Sequence, residues 1–515
     1  MSTLETPKYP ENIDAAVLKI SGVVLLGAIM SILDITVVNV ALPTFQTVFG
    51  SAEEPIAYSH VAWTVTAYTL ALATVIPLTG WAADRFGTKR LYLTAIGLFT
   101  AGSVLCATAT SINMLILFRV FQGLGGGMLM PLGMTIMTRA AGPQRMGRLM
   151  AILGVPMLLG PILGPILGGW LIDNASWHWI FLINVPIGAV ALVYSFLILP
   201  SDAPQPSESF DFVGMLLLSP GLALFLFGVS SLPQEEGDFT APRVWLSMLV
   251  GVVLMLTFVW HAFRPEHPLL DLRLYKNRNL SVSTITMFLF AAAFFGGLLL
   301  VPTYFQEIRG ESTLMAGLLV APQGIGAMIT MPIAGTLVDK FPVGRIVPFG
   351  LVLIAIGMFG LTQIEADTSY PLLLGLLFVM GLGMGATMMP LFTTALKTLT
   401  HHEVARGSTL LNITQQIASS VGVAVISVVL TSQLKDAPLA LPAIAAQKDP
   451  AVADQIGGPA AVAEGLVQAA AAFANTYWVA ACLVLLTFVP VYFLPRRREA
   501  THLLDDEGVP PVVVH

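Results

Sequence analysis

The chain has 515 residues, 56% hydrophobic and only 10% charged, with a formal net charge of −6 and a mean hydropathy of +0.82. A typical soluble domain carries roughly 25% charged residues, so 24 Lys and Arg with 30 Asp and Glu cannot coat a water-soluble globule of this size. That excludes an ordinary cytosolic or secreted enzyme and a disordered chain, and the negative balance leaves no basic footprint for nucleic acid; a polytopic membrane protein remains.

Residues 1–19 are polar, contain Lys8 and Lys19, and read as an N-terminal tail without a cleavable leader. A helix crossing ~30 Å of hydrocarbon needs ~20 mostly apolar residues. Such runs follow near 20–42 (α1), 59–80 (α2), 91–111 (α3), 113–138 (α4), 148–172 (α5), 179–199 (α6), 211–231 (α7) and 244–263 (α8). They continue near 281–302 (α9), 313–338 (α10), 346–363 (α11), 370–396 (α12), 409–431 (α13) and 476–495 (α14). The ~10-residue alternating segments of a lipid-spanning barrel are not visible, so the chain is predicted to be all-α with 14 spans. Cys106 and Cys482 both sit in apolar runs, far apart in sequence, and read as packing residues.

Basic residues accumulate on the cytoplasmic side of a membrane. With the N-terminus inside and the spans alternating, nineteen of the 24 Lys and Arg fall inside. Four fall outside, namely Arg243, Arg309, Lys435 and Lys448, and Arg119 lies within a span. A wrong span count would scramble this split. It predicts cytoplasmic termini and a cytoplasmic tail at 496–515.

Two stretches resemble each other: Gly80–Arg90, after α2, and Gly335–Arg345, after α10. In each, Gly and Asp stand four apart, followed by a base, a Phe, a turn Gly and more positive charge. The copies are eight spans apart where a six-helix repeat would place them six apart. Two extra helices therefore lie between the halves. The predicted layout is a six-helix bundle (20–199), a two-helix insert (200–278) and a second six-helix bundle (279–495), a known transporter plan. The segment 432–475 reads as a long external loop, within which Pro459–Phe473 is either a short surface helix or irregular.

Two charged residues, Asp34 and Arg119, lie well inside predicted spans. A charge at the bilayer centre costs at least ~2.5 kcal/mol, so it normally faces a cavity or a partner. Asp34 is about eight residues from the external end of α1 and Arg119 about six from that of α4; at ~1.5 Å per residue the levels match within roughly 3 Å. The pair can compensate across a polar cleft. It either orients two helices or forms a protonatable carboxylate beside a permanent cation. Arg119, Gln122 and Gly123 share one helical face, and Gly125, Gly126 and Gly127 strip side chains beside it.

In α5, Gly160, Gly164 and Gly168 form a flat stripe, beside Gly154, Gly169 and the prolines Pro161 and Pro165. This reads either as a kinked packing helix or, functionally, as a bendable seam between bundles that changes during the transport cycle. In the α2–α3 loop, Gly80, Asp84, Arg85, Gly87 and Arg90 form a charged tight turn. Asp84 is expected to pair with Arg85 or Arg90 or to sit at a neighbouring helix N-terminus, and the recurrence of the motif suggests a latch. The second copy has Pro342 before a displaced Gly344, which argues against a latch at Asp339. Trp177–Pro186 reads as interfacial anchorage. His401, His402 and Glu403 read as a cytoplasmic loop without a metal site.

Four of these motifs, in order and on the right helices, resemble the fourteen-helix drug:proton antiporter branch of the major facilitator superfamily, the EmrB/QacA type. Leu33–Pro43 matches the helix-1 signature of that branch and Gly80–Arg90 the loop motif of the superfamily. Leu115–Gly127 is similar to the helix-4 motif, and Gly154–Gly169 to the antiporter motif of helix 5; Trp177–Pro186 matches the usual start of helix 6. The resemblance implies proton-driven export, with Asp34, Arg119 and Gln122 near the proton and substrate pathway. It further implies gating by the Asp84 loop, antiport through α5, and a multi-pass protein of the cell membrane. No cofactor is expected, since the proton gradient drives the cycle, and the partners are protons, small molecules and the bilayer. Glu307, near the external end of α9, is the second-bundle candidate. The expected cargo is amphipathic organic compounds; the alternatives are a lipid, siderophore or other metabolite on the same fold, and more remotely a membrane-embedded enzyme.

Overall fold

The computed structural model describes residues 14–50, 56, 58–141, 148–149, 160, 163–164, 166–172, 174–200, 209–235, 237–447 and 450–496. Apart from residues 14–19 and 496, the tails at 1–19 and 496–515 lie outside them. Every regular element among the described residues is a helix. Twelve are long and apolar enough to cross a membrane, and a bent pair makes a thirteenth. The fourteenth predicted span, α5, falls largely outside the described residues, and those of it that are described are helical.

In the structure α1 is Ala15–Val48, and α2 is Trp63–Val75 followed, after a 55° bend, by Leu78–Phe86. Next come α3 (Thr88–Ala107), α4 (Ile112–Ala141), α6 (Trp179–Leu182 and Asn184–Ile198), α7 (Phe212–Ser231) and α8 (Pro242–Ala262). The last six are α9 (Arg278–Glu307), α10 (Thr313–Lys340), α11 (Val343–Leu361), α12 (Tyr370–Gly385 and Met388–Lys397), α13 (His401–Asp436) and α14 (Pro459–Val491). Pro77 lies at the bend of α2, where its missing N–H breaks the ladder.

The packing repeats with a period of eight spans. In the first half α3 packs on α4, α2 on α4, α1 on α4, α3 on α6 and α1 on α6. In the second half α11 packs on α12, α10 on α12, α9 on α12, α11 on α14 and α9 on α14. The insert α7–α8 is a hairpin whose α7 touches both α2 and α13, beside the junction of the halves. Ser219 of α7 donates to the Thr74 carbonyl at 2.7 Å. Asp211 caps α7 through the Gly214 N–H and meets the His261 ring of α8 at 2.8 Å, tying the hairpin at its base.

Two local expectations change. The stretch 432–475 is not one loop: α13 runs on to Asp436, and α14 begins at Pro459 and continues without interruption to Val491. Only 437–458 connects them, and it includes the short helices Ala440–Ala446 and Pro450–Gln455. The Ala-rich composition of Pro459–Phe473 has high helix propensity and simply prolongs the span. His401–Glu403 likewise opens α13, because Thr400 and Glu403 form a reciprocal capping box.

Close helix contact rests on glycines. A Cβ on Gly422 of α13 would strike the Ala292 carbonyl of α9, whereas one on Gly97 would meet nothing within 4 Å. We expect Gly422→Leu to destabilise the protein by about 1–3 kcal/mol or more through overpacking, and Gly97→Ala to be neutral. Thermal midpoints of the detergent-purified variants check this.

Candidate functional site

Five helices bring their polar groups to one buried point in the first half. Asp34 (α1), Arg119 and Gln122 (α4) and Asn184 (α6) are each 2% exposed or less. Arg119 Nη1 forms a salt bridge with Asp34 Oδ2, donates to Gln122 Oε1 at 2.7 Å, and its Nε donates to the Thr64 carbonyl of α2 at 3.0 Å. Asp34 Oδ1 accepts from Gln122 Nε2 at 2.7 Å and from Asn184 Nδ2 at 3.1 Å. Gln122 Nε2 also donates to Ser103 Oγ of α3 at 2.8 Å, and the Cys106 thiol donates to Gln122 Oε1 at 3.5 Å. The Tyr68 ring of α2 lies 4.1 Å from the guanidinium carbon, a cation–π contact in a dry site.

The glycine run next to this face is what lets the helices close. A Cβ on Gly123 would meet the Tyr68 carbonyl at 2.6 Å, and one on Gly125 would meet the Ala95 carbonyl at 2.8 Å. Gly102 of α3 faces the Gln122 backbone itself, where a Cβ would come within 2.6 Å of its Cα. Backbones of α2 and α3 thus close on α4 beside the ion pair. The expected polar cleft is not seen at this point among the described residues: Asp34 and Arg119 are enclosed by protein.

The α5 stripe sits elsewhere than expected. Positions 160, 164 and 168 face Ile32, Thr36 and Val37 of α1, within the same half, rather than a seam between halves. They back the helix that carries Asp34. Gly169 has open space at its Cβ position, and Gly154, Pro161 and Pro165 lie outside the described residues.

The loop motif engages the opposite half. Asp84 lies 3.8 Å from Arg139 of α4 and 3.8 Å from Arg406 of α13. Gly80 packs against the Arg406 and Ala405 backbone of α13. Gly87 has φ +84°, a conformation that favours glycine, and starts α3; Arg85 and Arg90 are exposed. The second copy has an equivalent: Arg148 of α5 meets Asp339 of α10 at 3.4 Å. Pro342 and the displaced Gly344 therefore do not remove the acid from a cross-half contact, since Asp339 precedes the altered turn. Between these ion pairs and the buried site, Thr135 and Ser408 hydroxyls lie 3.1 Å apart, and Asn412 Nδ2 reaches Met134 Sδ at 3.3 Å, joining α4 to α13. These contacts join the two halves at the Asp84 end.

Glu307 stands at the other end of α9, where its carbonyl accepts from Gln447 at 2.8 Å, in a different half from Asp34. Trp177–Pro186 is more than an anchor: Trp177 and Phe181 are buried against Phe45, and Asn184 reaches Asp34. Asn184, Tyr68, Thr64 and Ser103 escaped sequence reasoning, since neutral polar residues in apolar spans carry no charge signal. Asn184 alone stood inside a recognisable motif. No group of three or more His, Cys, Asp or Glu that could hold a metal ion occurs among the described residues.

The Major Facilitator Superfamily model matches residues 24–423. The chain belongs to that superfamily. It is 45% identical over 513 residues to the multidrug resistance protein B homolog of Mycobacterium tuberculosis H37Rv, covering 96% of this chain and 93% of the relative. To the multidrug export protein EmrB of Escherichia coli K12 it is 32% identical, covering 79% of each. Among solved structures it resembles the proton:xylose symporter XylE (TM-score 0.61, 17% identity, 95% of this chain and 98% of that one). The human organic anion transporter MFSD10 is comparable (0.60, 17%, 93% and 100%). These structures establish the fold; the family match and the relatives named for multidrug resistance and export make the chain a multi-pass membrane transporter of the EmrB/QacA-type branch.

Removing one partner of a buried ion pair strands the other, at about 3–5 kcal/mol. Arg119→Ala is expected to lower stability by that order, and Asp34→Asn combined with Arg119→Gln to recover part of it. A double-mutant cycle on thermal unfolding in detergent measures the coupling.

Proposed function

We propose that this chain is a proton-coupled exporter of amphipathic organic compounds from the cytoplasm, working by alternating access in the cell membrane with both termini cytoplasmic. The observation that carries the reading is a carboxylate buried against a guanidinium, on the branch of the superfamily whose named relatives include multidrug export proteins. With Asp34 ionised the pair is neutral; protonation leaves the Arg119 charge uncompensated in a dry site. That state is costly while the site is shut, so proton binding favours the conformation that hydrates or re-partners the guanidinium. A charge moved through the membrane potential gains or loses ~2.3 kcal/mol per 100 mV, which supplies a driving force without a cofactor.

The Asp84 end, where these contacts join the halves, is the one the basic residues assign to the cytoplasm. Alternating access requires it to open, which breaks Asp84–Arg406, Arg148–Asp339 and the Thr135–Ser408 contact while the halves stay intact. Helices α2, α4, α5, α10 and α13 carry these contacts and are the moving parts.

In proteoliposomes with an imposed pH gradient, Asp34→Asn should reduce gradient-driven ethidium efflux at least tenfold; efflux equal to the parent sinks the proton-coupling reading. In a Cys482→Ser background, Ser408→Cys should gain reactivity toward an impermeant maleimide, applied from the cytoplasmic side, when Asp84→Asn and Asp339→Asn are added. Unchanged labelling would show that the ion pairs do not hold this end shut.

A further inference from the structure

Asp34 has two oxygens with different surroundings. Oδ2 belongs to Arg119, while Oδ1 accepts from two carboxamides, Gln122 and Asn184. A carboxylic acid cannot keep both Oδ1 acceptor bonds once that oxygen bears the proton; one donor must leave. Gln122 is held by three further bonds, from Arg119 Nη1 and the Cys106 thiol and to Ser103. The Asn184 side chain has one, the 3.1 Å bond to Asp34, among the described residues. Asn184 is therefore the group that yields.

Its position gives the release a consequence. Asn184 lies in the first turns of the continuous helix Trp179–Ile198, and Pro186 two residues on lacks a backbone donor, so the Leu182 carbonyl loses its helical partner there. The Asn184–Asp34 bond is a polar tie from α6 to α1. We infer that Asn184 is the positioning residue that reads the protonation state of Asp34: it holds the carboxylate and lets go of the acid, loosening α6 from α1. This rests on the proton-coupling reading above. In this step a hydronium ion of the aqueous phase gives up a proton, its O–H bond breaking to leave water; one O–H bond forms at Oδ1, and one N–H···O hydrogen bond is lost. Charged and titratable groups facing Asp34 are Arg119 from α4, Tyr68 from α2 and Cys106 from α3. The α5 stretch 150–169 contains no titratable side chain, and α6 supplies the neutral Asn184.

The test is an infrared pH titration of the purified full chain, following the protonated-carboxyl band that disappears in Asp34→Asn. A hydrogen bond to a charged group is worth enough to move a titration by about one pH unit. Asn184→Leu should raise the midpoint by that amount, and Asn184→Ser, which keeps a donor, should restore most of it. The pH profile of ethidium efflux should shift in parallel. If Asn184→Leu does not fold, Asn184→Ala against Asn184→Ser gives the same comparison. A midpoint identical in all three overturns the role of Asn184 while leaving proton coupling intact. A parent protein with no Asp34-dependent titration overturns both.

Discussion

One ion pair sets the terms for the first half of this transporter. Asp34 and Arg119 have exchanged water for each other in a medium where an unmatched charge is expensive, so each remaining lone pair and N–H needs a partner. The amides of Gln122 and Asn184, the Thr64 carbonyl, the Ser103 hydroxyl and the Tyr68 ring supply most of those partners from four helices, while Arg119 Nη2 has no hydrogen-bond partner among the described residues. Such a cluster is satisfied only if the helices meet at the right depth and rotation. The glycines of α3 and α4 provide that approach, and their role is steric.

The same helix that carries Arg119 also reaches the Asp84 end. Along α4, Arg119 belongs to the buried site, Pro131, Met134 and Thr135 touch α13, and Arg139 lies beside Asp84. From Arg119 to Arg139 is twenty residues, about 30 Å of helix. One helix, Ile112–Ala141, thus carries the buried site near one end and the cross-half contacts near the other. The α5 stripe adds a second support, since it braces α1 behind Asp34.

The two extra helices have a different part. Because α7 touches α2 of one half and α13 of the other, the insert contacts both halves. The stacking of Trp63 on Phe227 and the Ser219–Thr74 bond bind it to the first half through α2.

Composition, span spacing and the distribution of basic residues determined the all-helical class and the internal repeat, because hydrocarbon thickness and backbone hydrogen bonding leave a membrane chain few options. Asp34 and Arg119 were legible for the same reason: charge in an apolar run is too costly to be incidental. Tertiary structure alone decided what surrounds them. Asn184 looked like part of an aromatic anchor, the α5 glycines like a seam between halves, and Asp339 like a lapsed copy of Asp84; each meaning changed once rotation about the helix axis and the neighbour across the gap were known. A sequence states which side chains a helix owns, but the direction they face is set by packing among fourteen helices, and in an almost uniformly apolar chain periodicity is too weak to reveal it.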